Sequence, residues 1–107
     1  MSIEINSEEE VQNIVLNTKM VVMKWGAGFC QPCKKIQPFF ESLAQKYPNV
    51  AFLTLDVEEP DLTERVDLYN ISSIPHFQVF LNGKLKKSMT GTNKKELEEM
   101  FSNLLID

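Results

Sequence analysis

Apolar positions along this chain switch between two periods, and the order of the switches predicts an architecture. Ile3 and Ile5 alternate with polar residues, as in a short first strand. Ser7 and Glu10 have the spacing of a helix-capping box, and behind them Val11, Ile14 and Val15 fall on one helical face. Met20 to Trp25 is a nearly continuous apolar run broken by Lys24, the pattern of a central parallel strand covered on both faces. Gly26, Ala27 and Gly28 then open a loop. Beyond it Cys33, Ile36, Phe40, Leu43, Ala44 and Tyr47 stand at helical spacing, with a kink expected at Pro38 and a stop at Pro48–Asn49.

Val50 to Val57 reads as another buried strand. Asp61 and Glu64 form a second capping pair, for a helix whose apolar stripe is Leu62, Val66 and Tyr69. Phe77 to Leu81 and Lys84 to Met89 are the arms of a hairpin around Asn82–Gly83, a dipeptide that supplies the two positive-φ positions of a tight I′ turn. A last helix begins near Asn93 and carries Leu97, Met100, Phe101, Leu104 and Leu105. The resulting order, β-α-β-α-β-α-β-β-α, predicts an α/β fold with a mixed central sheet and helices on both faces.

At 107 residues, with no repeat or linker, the chain fits one domain spanning residues 1–107. A net charge of -4 sets nucleic acid aside as the main partner, because phosphate binding needs clustered Lys and Arg. Lys34–Lys35, Lys84 to Lys87 and Lys94–Lys95 are short and read as solvated faces. No apolar stretch approaches the ~18–20 residues that span a bilayer, so no membrane partner is expected. Met1 to Glu10 is acidic and lacks the charged-then-apolar pattern of a secretory signal, which predicts a reducing, cytoplasmic setting. There, two cysteines point to catalysis or metal binding rather than a structural staple. Two Cys and one His fall short of the about four ligands of a closed zinc site. An iron–sulfur cluster shared between two copies is the remaining metal-based alternative.

Cys30-Gln31-Pro32-Cys33 sits where a buried strand hands over to a helix. Two intervening residues on a first helical turn bring the Cα atoms within disulfide range, roughly 4.4–6.8 Å. Cys30 falls at the helix N-terminus, where unpaired N–H groups and the positive dipole end favour a thiolate, and its sulfur is expected to be exposed. Cys33, one turn in, is expected to face the protein, which suits it to resolve rather than attack. Pro32 has no N–H to lose in the first turn and presets φ for the helix. The competing reading, two buried cysteines that merely lie close, suits a C-x-x-C in isolation better than one placed between strand and helix.

The segment Gly28-Phe29-Cys30-Gln31-Pro32-Cys33-Lys34-Lys35-Ile36-Gln37-Pro38-Phe39-Phe40 resembles the active-site segment of the thioredoxin family. That segment is usually written W-C-G-P-C-K, with a proline five residues past the second cysteine. Leu55-Asp56-Val57 resembles the family's third strand, and Ile74-Pro75 the segment whose proline is cis and faces the disulfide. Phe80-Leu81-Asn82-Gly83-Lys84 and Thr90-Gly91 resemble its hairpin and the glycine that follows. The resemblance covers nearly the whole chain, in order, and implies a thioredoxin fold. It implies Cys30 as attacking nucleophile and Cys33 as resolving thiol. Pro75 would be the cis-proline that leaves the Ile74 backbone free to pair with an extended substrate strand. Phe29, Gln31, Pro32, Ile74 and Gly91 would form a shallow apolar groove around the sulfur. The activity implied is reduction of protein disulfides by a monomer with no bound cofactor. Electrons would come from an NADPH-dependent flavoprotein, a thioredoxin reductase-like enzyme.

Several positions depart from the family pattern. Lys24 stands where the family normally buries an Asp that takes a proton from the resolving thiol. As an amine it could modulate the thiol pKa values, and the alternative is a side chain that snorkels to solvent. Gln31 replaces a Gly between the cysteines, and Phe29 replaces a Trp. His76 replaces a Thr after the proline, where it either titrates close to the sulfurs or hydrogen-bonds nearby backbone. Glu58 to Ser73 reads about two residues longer than usual for the resemblance. Lys24 also keeps open a second class of function, a binding or scaffold module with secondary redox activity. A glutathione-linked enzyme is a third, disfavoured by the lack of a clustered basic site.

Overall fold

The computed structural model describes residues 1–105. Five strands, β1 (Ile3–Glu4), β2 (Met20–Gly26), β3 (Ala51–Asp56), β4 (His76–Leu81) and β5 (Lys84–Thr90), form one sheet in the order β1-β3-β2-β4-β5. The pairs β1–β3 and β2–β3 are parallel, and β2–β4 and β4–β5 are antiparallel. The helices are α1 (Glu8–Asn17), α2 (Gln31–Lys46), α3 (Thr63–Leu68) and α4 (Lys94–Ser102). The expected mixed α/β order is therefore present.

Every residue of β2 is buried, because it is the central strand with a helical layer on each face. Met20 and Val22 enter a cluster with Ile36, Phe40 and Leu43 of α2 and Leu97, Met100 and Phe101 of α4. Val21, Met23 and Trp25 enter the opposite cluster, with Val11 and Val15 of α1. The pleat's period of two thus survives inside a continuous apolar run, and it assigns Lys24 and Gly26 to the α2 side. On the other side the Trp25 Nε1–H donates to Gln78 Oε1 at 2.8 Å, which fixes the end of β2 against β4.

Sequence expectations needed correction where partners are distant. Asp61 does not cap α3. It lies in a 3-10 turn over Pro60–Leu62 that runs straight into α3, whose N-cap is Leu62 with no side-chain cap bond. Asp61 Oδ2 instead accepts from the Glu8 backbone N–H at 2.9 Å, so it serves α1 beside Ser7, which accepts from Glu10 N–H. Arg65 is also buried on α3, its guanidinium forked onto Glu8 at 2.9 and 2.8 Å and bonded to Gln12. At the C-terminal end the chain tightens into a 3-10 turn over Asn103–Leu105, which rotates Leu105 off the apolar face and leaves it exposed. Gly26 belongs to β2 rather than to the loop, whereas α2 runs through Pro38 to Lys46 as its spacing predicts. The hairpin turn is as read, with positive φ at both Asn82 and Gly83.

Candidate active site

β2 ends at Gly26, whose carbonyl accepts from Val57 N–H at 2.9 Å, and a short loop leads to Cys30. Cys30 is the N-cap of α2, with extended backbone, and its Sγ accepts from the Cys33 N–H at 3.2 Å. The N–H of Cys30 itself donates to Ala27 O at 3.1 Å, which closes the loop onto the helix start. Pro32 occupies the first turn, where its missing N–H is not needed. Cys30 and Cys33 are joined by a disulfide with their Cα atoms 5.3 Å apart, inside the range that a helical first turn offers. The sulfur at the N-cap takes the position of a capping oxygen, so the site favours an anion there in the reduced protein.

The expected contrast in exposure between the two cysteines is absent in the disulfide form. Cys30 is 6% exposed and Cys33 3%. Bonded sulfurs shield one another, so what distinguishes Cys30 is its cap position and its surroundings rather than its own area. Phe29, immediately before it, is 69% exposed, and Gln31 and Pro32 are exposed after it.

The antiparallel register Trp25–His76 carries Pro75 to the level of Gly26, so the Ile74–Pro75 segment lies at the same end of the sheet as the dithiol. The Ile74–Pro75 peptide bond is cis. Gly91 N–H donates to Pro75 O at 2.9 Å, with Gly91 at φ 114, a left-handed conformation that favours glycine. That bond ties the end of β5 to the proline segment. Pro32 and Ile36 share a shallow cleft with Thr92 and Lys94, so the residues after Gly91 come up beside the first turn of α2. His76 Nδ1 pairs with the Thr90 hydroxyl at 2.8 Å, a side-chain partner on β5 rather than the backbone partner expected. Partial burial holds its imidazole below the ordinary histidine value.

Lys24 does not snorkel. It is 4% exposed, and its Nζ donates to Gln37 Oε1 at 2.7 Å. A Cβ added at Gly26 would lie 3.2 Å from Cys33 Sγ and 3.8 Å from Lys24 Nζ. The sulfur and the amine are therefore no farther apart than the sum of those distances. Gln37 Nε2 donates in turn to Glu41 Oε2 at 2.7 Å, and Glu41 also accepts from the backbone N–H of Ser2 at 2.8 Å and from its hydroxyl. Burial pushes the Lys24 amine below the usual lysine range, and the Glu41 charge partly opposes this. Burial alone would raise the Glu41 carboxyl, but the hydrogen bonds from Ser2 and Gln37 outweigh it and hold the group below the usual range. Lys24, Gly26, Cys33, Gln37, Thr54 and Asp56 line a cleft of about 380 Å³ behind the disulfide.

Gln37, Glu41 and Ser2 were not singled out from sequence. A signal for two of them existed: Cys33, Gln37 and Glu41 are spaced by four and share one face of α2. Among the described residues, no group of three or more His, Cys, Asp or Glu is arranged to hold a metal, and no helix is long and apolar enough to cross a membrane.

A family model described as Thioredoxin matches residues 2–103. A thioredoxin of Gallus gallus is 39% identical over 88 residues, which span 81% of each chain. One of Plasmodium falciparum is 31% identical over 97 residues, 91% of each. A solved structure of Plasmodium falciparum thioredoxin superposes with a TM-score of 0.87 at 30% identity, covering 94% of this chain and 96% of that one. The crystal structure of thioredoxin from Trypanosoma brucei brucei gives a TM-score of 0.90 at 25% identity, covering 100% of this chain and 93% of its own. Thioredoxins exchange disulfides without a bound cofactor, and a cysteine pair at bonding distance on a helix N-terminus is what that chemistry requires. With topology, dithiol and relatives in agreement, the chain is a thiol–disulfide oxidoreductase and belongs to the thioredoxin family.

Proposed function

We propose that the protein reduces protein disulfides, with Cys30 as the attacking thiolate and Cys33 as the resolving thiol. The observation that carries the assignment is the N-cap geometry, in which the Cys30 sulfur faces the Cys33 N–H at the positive end of α2. In the reduced protein the Cys30 thiolate attacks one sulfur of a substrate disulfide and expels the other as a thiolate. The Cys33 thiol then loses its proton and attacks Cys30, which releases the second substrate sulfur and closes the disulfide. Phe29, Gln31, Pro32, Ile74 and Gly91 form the docking groove in this reading, and the Ile74 backbone pairs with an extended substrate segment. An NADPH-dependent flavoprotein reductase returns two electrons to the disulfide. The protein works in this scheme as a monomeric single domain in a reducing, cytoplasmic compartment.

Two assays test the reading. Cys33→Ser should trap stable mixed disulfides with protein substrates, and Cys30→Ser should trap few; equal trapping by both would overturn the roles. Catalysis of insulin reduction by dithiothreitol separates a catalyst from a binding module, because a module that only holds partners leaves the rate at the dithiothreitol background.

A further inference from the structure

The described residues contain three buried polar or charged side chains, Lys24, Arg65 and Gln78. Arg65 is neutralised by its two-pronged contact with Glu8, and Gln78 carries no charge. Lys24 has no carboxylate within ion-pair distance among the described residues; Glu41 reaches it only through the Gln37 amide. An amide oxygen accepts equally from an ammonium and from an amine, so Gln37 holds Nζ in place without fixing its charge. The ionisable groups that share its cleft are Cys33 and Lys34 on α2, Glu4 on β1 and Asp56 on β3, and Glu41 of α2 acts on its charge. Of these, only the cysteine changes its charge with the redox state. The closed disulfide is neutral, whereas the open pair can carry a thiolate, and Cys33 lines the same cleft as Lys24.

We propose that Lys24 is a redox-linked proton site, which binds its proton more tightly when the Cys30–Cys33 pair is reduced than when it is a disulfide. By reciprocity its ammonium favours the reduced, thiolate-bearing form. Burial lowers the titration of the Lys24 amine from the usual lysine range, in the direction of the thiols, and Glu41 partly opposes this. A dithiol reductant supplies both the electrons and the protons. The reductant gives two electrons to the Cys30–Cys33 bond and leaves as its own disulfide, releasing two protons. One proton goes to the Lys24 amine and one to a protein sulfur, and the other sulfur remains a thiolate whose charge the new ammonium offsets. A carboxylate at this position would also hold its proton more tightly beside a thiolate, but its ionised form would repel the thiolate that the ammonium attracts.

The inference rests on the dithiol chemistry proposed above, but not on which sulfur attacks or on any protein substrate. Its test is the lysine side-chain resonance of Lys24, followed against pH by NMR in the disulfide protein and in the protein held reduced with excess dithiothreitol. The reduced protein should titrate higher by about one pH unit, on the order of tenfold in proton affinity, the scale of a typical coupling between sites. Equal midpoints in the two states would overturn the proposal. Lys24→Met and Lys24→Gln should each shift the equilibrium with glutathione toward the protein disulfide by about the same factor; an unshifted equilibrium in both would also overturn it. Glu41→Gln should lower the Lys24 midpoint in both states and preserve the gap between them, and loss of the gap would count against the sulfur as its source. Failure to reduce insulin would refute the proposed function and leave these titrations readable.

Discussion

Gly26→Ala tests how tightly the start of α2 is set against the end of β2. Gly26 is buried and its φ is not positive, so alanine can adopt the backbone without strain. The difficulty is the neighbour: the new methyl would stand 3.2 Å from Cys33 Sγ and 3.3 Å from Cys33 Cβ. Both contacts are several tenths of an ångström too close, and the two atoms sit on a helix whose first turn is closed by the disulfide. Overpacking of this kind costs roughly 1–3 kcal/mol. Removing a glycine from the unfolded chain offsets about 0.4–1 kcal/mol of that. The net expectation is a loss of about 1–2 kcal/mol, or roughly 4–10 °C in Tm for a domain of this size. Gly28→Ala is the control, because its Cβ would meet nothing within 4 Å and its φ is not positive; stability should hold or rise slightly. Guanidinium denaturation of the two variants in the disulfide and reduced forms provides the measurement. The loss at Gly26 should shrink on reduction, when Cys33 Sγ is free to rotate, without vanishing, because the Cβ contact remains. A Gly26→Ala protein as stable as Gly28→Ala in both forms would refute the claim that this contact requires glycine.

Asn93 caps α4 through its Oδ1, which accepts from Glu96 N–H at 2.9 Å, so Asn93→Ala should cost about 1 kcal/mol, seen as a lower urea midpoint at unchanged slope. Burial holds His76 below its ordinary 6.5, so the unfolded chain takes up the proton first as pH falls. Its contribution to stability is full above 6.5 and is lost as pH drops from there toward the folded value; His76→Phe should flatten that part of a stability–pH curve. Hydrogen bonds from Lys46 and Tyr47 hold the Glu98 carboxyl below its ordinary 4.5, so their stabilisation is full above that pH and fades as pH falls through the lower folded value. Glu98→Gln should therefore leave a shallower acid limb, and an unchanged limb would mean the contact is idle.

What the sequence determined by itself is local. The order of elements, the I′ turn at Asn82–Gly83, the cap at Ser7 and the dithiol on a helix start all depend on residues within a few positions of one another. Periodicity and i to i+3 spacing record such relations directly. Even the resemblance to a family rested on short segments kept in order. What the tertiary structure decided involves partners far apart in the chain. Asp61 serves α1 and not its own helix, because the sheet order brings residues 53 apart into contact. Arg65 is buried because Glu8 lies across from it, 57 positions away. Lys24 faces inward rather than snorkelling because Gln37 of α2 offers it an oxygen, oriented in turn by Glu41 and by Ser2, which is 39 residues from Glu41. A buried polar group must find a partner or be expelled, and which of the two happens depends on what the fold sets opposite it. Sequence pattern records which face a side chain occupies; only the packed sheet and helices supply the partner.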